Sequence, residues 1–296
     1  MSILKLHKHA VAIAAGIALA VGAAPVMAAN DAPDFTLHPG PALTTSTNSF
    51  DANQILGSSS ELLHTVGNSH NAAGWLQMTG MTDHGTTLGA GVTRLTVDYG
   101  LYVTFTLSDV LTTGTSNTAN STNTLQTLNF KFWADPGFDD SFVQANASKS
   151  TEASVVDVSN NDILLGVGTL VSGTSGFDNE GGAFLNSNEL FGVCSGAGTA
   201  TIGGVAATGA LASQAAACQS NYGTSFFAAP VPFYTMAFDA LNNTTQGLNF
   251  NPVTGTISIN NAAGTIDFNN VPEPGTLALL GLGLLGVGAT TRRSKF

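Results

Sequence analysis

The residues with the most chemical potential are acids in three short groups: Asp135, Asp139 and Asp140 in "ADPGFDDS", Asp157 and Asp162 around "SNN", and Asp178 with Glu180 in "FDNEGG". Carboxylates at such spacing suit calcium, which takes about six to eight hard oxygen donors from flexible loops. None follows the EF-hand spacing, so a solvated turn competes for each group. Asp135, Asp139 and Asp140 are the first choice for a structural calcium site, and no other cofactor is indicated. His64, His70 and His84 share one polar stretch but lack H-x-x-x-H spacing or cysteine partners, so ordinary surface or half-buried histidines are expected rather than zinc ligands. No G-x-S-x-G elbow is present, and no catalytic residue is assigned. A glycosidase needs only two carboxylates, which keeps a secreted carbohydrate-active enzyme as the alternative to a non-enzymatic protein. Trp75, Trp133, Tyr99 and Tyr102 could stack on sugar rings, although strand aromatics more often pack in a core.

The elements that must position these groups read as strands. In "LTVDYGLYVTFTLSDV", Leu95, Val97, Tyr99, Leu101, Val103, Phe105 and Leu107 alternate with mostly polar residues, which predicts a long half-buried strand with a bulge or bend at Gly100. "LQTLNFKFWAD" puts Leu128, Phe130 and Phe132 on one face and Thr127, Asn129 and Lys131 on the other. "DILLGVGTLV" reads as a buried strand, and Tyr234–Phe238 as another. Ile257–Ile259 and Ile266–Phe268 read as the two arms of a hairpin across "NNAAG". "TGALASQAAACQ" is the one helical candidate. The runs "TTGTSNTANSTNT" and "VSGTSGFDNEGG" read as long loops at sheet tips. The expected fold is all-β: an antiparallel β-sandwich or barrel-like single domain, flanked by an N-terminal signal helix and a C-terminal hydrophobic helix.

Charged residues are only 9% of the chain, while 43% are hydrophobic, which is not the composition of a disordered protein. Between residues 30 and 270 only Arg94, Lys131 and Lys149 are basic; against 18 acids they leave a net charge of −15. Nucleic acid is excluded as a partner for such a surface, and divalent cations or cationic sugars are the natural electrostatic partners. Cys194 and Cys218 are expected to form a disulfide in an oxidising compartment, with a reactive thiol as the rival reading.

Export is indicated at the N-terminus. Lys5 and Lys8 precede the apolar run "AVAIAAGIALAVGAAPV", and small residues at Ala28 and Ala29 offer the cleavage site of a secretory signal. At the other end Gly275–Thr291 would measure about 26 Å as a helix, barely enough to span a membrane, and Arg292, Arg293 and Lys295 form a basic stop. A buried core helix is the competing reading, but nothing follows that could cover it. The literal G-x-G-x-x-G at Gly281–Gly286 is empty, because no strand precedes it.

Val271, Pro272, Glu273 and Pro274, the short apolar run and the basic terminus together resemble the PEP-CTERM sorting signal of Gram-negative bacteria. The resemblance implies a membrane-embedded exosortase as a partner, transient anchoring in the inner membrane, and delivery to the cell surface or extracellular matrix. The chain then divides into a signal peptide (1–29), a secreted β domain (30–270) and a sorting signal (271–296). "APDFTL", "SFDANQILG" and "VDYGLYVTFTLSDVLT" are similar to stretches of the flocculation-associated PEP-CTERM family. That likeness implies a surface protein promoting cell aggregation, in flocs or biofilm, with exopolysaccharide as its partner; it carries no catalytic residues over.

Overall fold

A computed structural model of the chain describes residues 32–46, 48–243 and 247–270. Ala28, Ala29 and the rest of the signal segment, like the sorting segment 271–296, lie outside the described residues. In chain order the strands are β1 (Phe35–Leu37), β2 (Phe50–Ala52), β3 (Gln54–Val66), β4 (Ser69–Asp83), β5 (Thr86–Thr87), β6 (Tyr99–Thr113), β7 (Ser121–Pro136), β8 (Ser141–Val143), β9 (Ser154–Val156), β10 (Ile163–Phe177), β11 (Ala183–Gly196), β12 (Thr199–Ile202), β13 (Val205–Ala206), β14 (Phe227–Ala229), β15 (Met236–Asn242), β16 (Leu248–Asn251) and β17 (Thr256–Asn269).

The long strands β3, β4, β6, β7, β10, β11, β15 and β17 each pair antiparallel with the next, and β17 returns to pair with β3. The result is a closed up-and-down barrel of eight strands, the barrel alternative among the two folds expected. Closure leaves this ring without a free strand edge, and eight strands give an interior that side chains can just fill. Leu101, Val103, Phe105 and Leu107 of β6 point inward with Phe130 and Phe132 of β7 into one apolar core. Phe191 is its centre, with ring centroids 5.0 Å from Phe268, 5.3 Å from Phe227 and 6.0 Å from Phe130. Gly168 on β10 faces the Phe130 ring, where any Cβ would collide with it. A small sheet of β2, β1 and β14 joins the same core, with Phe35 in edge contact with Phe268 at 5.2 Å.

Four details of the sequence reading change. The strand expected from Leu95 begins at Tyr99: Arg94 turns into the left-handed region (φ 61°) and pairs with Asp98 at 2.6 Å, closing a turn that leaves Val97 53% exposed. Gly100 stays in regular register with Asp135 and marks no bulge. It is small because a Cβ there would lie 3.0 Å from Phe138 and 3.1 Å from the Asp135 carboxylate. "NNAAG" is no hairpin loop but the middle of β17, which absorbs the extra residue as a bulge at Asn261 (φ 57°) while staying paired with β3. Most of "VSGTSGFDNEGG" is also strand, since Ser172–Phe177 pairs with β11 and Thr174–Phe177 with β7 on the other side.

Cys194 and Cys218 form the expected disulfide, with Cα atoms 5.6 Å apart. It ties the helix Gly209–Ala215, the one helical candidate read from the sequence, to the outer wall, where Leu211 and Ala215 cover Leu164 and Val167.

Candidate functional site

The turn after β7 and the β9–β10 loop bring five aspartates together. Carboxylate oxygens of Asp135, Asp139 and Asp140 lie within 4.8 Å of one another, and so do those of Asp140, Asp157 and Asp162. Two acid groups separated in sequence are thus one cluster, joined where Asp140 accepts the N–H of Val158 at 3.3 Å and Asp139 accepts the Ser159 hydroxyl. Within it, Asp135 is only 1% exposed and accepts the N–H groups of Asp139 (3.3 Å) and Asp140 (3.2 Å), so it shapes the turn. Asp140, Asp157 and Asp162 would be the better-placed ligands if an ion were bound. Asp140 Oδ2 and Asp162 Oδ1 are buried atoms that no donor group of another residue reaches, the two carboxyl groups being close enough to share a proton with each other. Burial pushes Asp162 up to about 7, helped by the charges of Asp140 and Asp157 and opposed by the Tyr102 hydroxyl bond. Burial likewise raises Asp140, with Asp135 adding to it. No lysine or arginine forms an ion pair with these five acids among the described residues. An oxygen-rich, uncompensated cluster of this kind fits calcium in its donor chemistry. Asp178 and Glu180 stand apart: the Asp178 carboxylate accepts the N–H groups of Glu180 and Gly182, both at 2.8 Å, and closes the β10–β11 turn.

The outer-wall aromatics explain how the cluster is held. Tyr102 stacks on Trp133 (6.3 Å), and Phe142 of β8 packs edge-on against Tyr102 (5.5 Å) and Trp75 (5.1 Å). Trp75 Nε1 donates to Val143 O at 2.9 Å, and Tyr102 donates to Asp162. Three of the four expected aromatics therefore meet, while Tyr99 faces the barrel core. Trp75 and Tyr102 are buried beneath the β8–β9 hairpin, so they anchor the acid-bearing segments rather than present a stacking platform.

Beside this hairpin runs a polar groove of ≈ 500 Å³, lined by Gln144, Asn146, Asn249, Asn260 and Asn261 together with Ser258. Its amides are braced: Gln144 Nε2 donates to Asn261 Oδ1 at 2.9 Å, and Asn260 Nδ2 donates to Ala145 O at 3.1 Å. Each amide has both donor and acceptor capacity, so these bonds leave groups that can meet the hydroxyls of a ligand. No local pattern marks this groove, whose amides come from segments more than 100 positions apart.

The three histidines do not converge. His64 pairs with Glu152 at 2.6 Å and His84 with Asp83 at 2.8 Å, both exposed. His70 is buried, with Nδ1 2.7 Å from Asp109 and Nε2 2.9 Å from Asn117 Oδ1. Asp109 also accepts bonds from Ser175 (2.5 Å) and Asn123 (3.1 Å). The Ser116 hydroxyl lies 3.3 Å from Nε2, which outlines a Ser–His–Asp series. Yet Nε2 lies nearer to Asn117 (2.9 Å) than to Ser116, and the ring is held between Asp109 and Asn117, so the geometry defines no activated serine. Burial alone would lower the His70 pKa, but the hydrogen bond and charge of Asp109 outweigh that and raise it. This cluster therefore clamps the β6–β7 loop onto the barrel. Alternation along β6 turns Asp109 inward after Leu107; the bulge, invisible in the sequence, lies opposite it at Gln126 of β7, where it turns Leu125 and Asn123 to the same inward side.

The barrel's last strand ends at Asn269, and residues 270–293 match the family model of the PEP-CTERM protein-sorting motif, which covers Val271–Pro274 and reaches Arg293. The chain is therefore an exported protein, held transiently in the membrane by its tail. Its processing partner is an exosortase-type membrane enzyme. Comparison with curated proteins and with solved structures gave no match.

Proposed function

We propose that the barrel is a non-enzymatic protein of the Gram-negative cell surface or extracellular matrix, which promotes aggregation of cells in flocs or biofilm by engaging exopolysaccharide. The observation that carries this reading is the uncompensated aspartate cluster on the outer wall of a domain equipped with a surface-sorting tail. Calcium held by Asp140, Asp157 and Asp162, over the turn shaped by Asp135 and Asp139, would bridge the acidic barrel to anionic sugar chains. The neutral amide groove supports the same reading, because it can meet sugar hydroxyls without charge repulsion. The test is deletion of the gene followed by complementation. Flocs should vanish on deletion, return with the wild-type gene, and stay absent with the double substitution Asp140→Asn and Asp162→Asn. Unchanged flocculation after deletion would overturn the reading. Turnover of isolated exopolysaccharide by the purified protein would replace it with that of a carbohydrate-active enzyme.

A further inference from the structure

A second set of acids lies inside the barrel. Ser187 of β11 is directly opposite Asp239 of β15, and Glu189 is two residues further along the same inward face, between Ser187 and the core ring Phe191. Glu189 is 0% exposed, and neither of its carboxylate oxygens has a hydrogen-bond partner; Asp239 Oδ1 has none either. The Ser187 hydroxyl, 4% exposed, lies near enough to favour the Glu189 carboxylate, against the burial and the Asp239 charge that raise its pKa.

Natural interiors seldom leave such groups unmatched, and an orphaned buried carboxylate signals a missing water or ion. Ionised and unpaired, a fully buried Glu189 beside the half-buried Asp239 would cost a large share of the stability of an ordinary fold. Protonated, Glu189 would have only the Ser187 hydroxyl near enough to accept its O–H, and its other oxygen would stay unmatched. No cationic side chain pairs with them among the described residues: Arg94 is bound to Asp98, Lys149 is exposed, and Lys131 sits on the opposite face of β7 from the inward Phe130 and Phe132.

We infer that the barrel interior binds one divalent cation of calcium type between Glu189 and Asp239, with Ser187 as a further donor. Two carboxylates match the charge of such an ion, and their four oxygens with the hydroxyl approach the oxygen shell that calcium takes. The backbone beside them is also adapted. Leu170 of β10 pairs with Glu189 and Ser172 with Asn188, so Val171 bulges out of the ladder directly opposite the site and loosens its backbone pairing. The residues are distinct from those of the surface cluster, so this inference stands or falls separately from the proposed function.

The experiment uses the purified exported protein carrying Asp140→Asn and Asp162→Asn, which disables the surface cluster. After stripping with a chelator and returning calcium, native mass spectrometry should count one bound ion per chain, and thermal unfolding should shift upward with calcium. Adding Glu189→Gln and Asp239→Asn should abolish both the bound ion and the shift, while raising the melting temperature of the stripped protein, because the buried charge is gone. An ion retained by that variant would overturn the inference, as would absence of any bound calcium in the parent. A fall in stability with rising pH that calcium leaves unchanged and that Glu189→Gln with Asp239→Asn removes would also overturn it, showing a pair neutralised by protons.

Discussion

Glu61 points into the barrel beside Asp109 and is only 6% exposed. Burial first, and the Asp109 charge second, push its pKa from 4.5 up to about 7. A carboxyl raised in the folded state stabilises fully below its unfolded pKa, and that contribution is lost as pH climbs through the folded value. The shift is worth about 3 kcal/mol, lost between roughly pH 4.5 and 7. His70, also raised, acts in the same direction. The barrel should therefore melt at a higher temperature at pH 5 than at pH 8, and Glu61→Gln should flatten that difference; thermal unfolding at the two values checks it. Gly168 makes a second residue-scale case. Gly168→Ala drives a methyl into the Phe130 ring in a closed core, an overpacking cost of about 1–3 kcal/mol, measurable by denaturant unfolding.

Among the elements, the β8–β9 hairpin depends on Trp75, which holds it through Phe142 and the Val143 carbonyl. Trp75→Ala should cost about 3–5 kcal/mol and loosen the neighbouring aspartates, so calcium affinity titrated on the folded variant should drop. Opening the Cys194–Cys218 bond by substitution with alanine should cost about 3 kcal/mol, seen as a lower melting temperature, with the helix Gly209–Ala215 becoming the first segment to exchange its amide protons. This is also the scale at which legibility divides. Simple alternation made Leu101–Leu107 and Phe130–Phe132 readable as inward faces, because a period of two has one physical meaning. The disulfide was readable from composition and compartment. Bulges were not: those at Gln126, Val171 and Asn261 each reverse or absorb one step of the alternation. They depend on partner strands that local sequence does not reveal. The aspartate cluster was half legible, since Asp135, Asp139 and Asp140 are neighbours while Asp157 and Asp162 reach them only through the fold. Glu189 gave no signal, being a lone acid between strand residues.

For the whole molecule, three basic residues between positions 30 and 270 set protease susceptibility. Lys131 is locked in β7 between two neighbours and Arg94 is bound at a turn, but Lys149 is exposed in a 3₁₀ turn. Native trypsin digestion should cut this region once, after Lys149, and intact-mass measurement of the fragments checks it. The closed ring has a further consequence, one of timing. The strand that completes the cylinder, β17, pairs with β3 some 200 positions earlier and ends at Asn269, one residue before the matched sorting motif starts. During export the N-terminal strands emerge first and must wait, seam open, for the last staves of the barrel. The sorting motif thus follows directly in sequence on the strand that seals the barrel, so the closing stave and the address for the sorting machinery leave the exporter together.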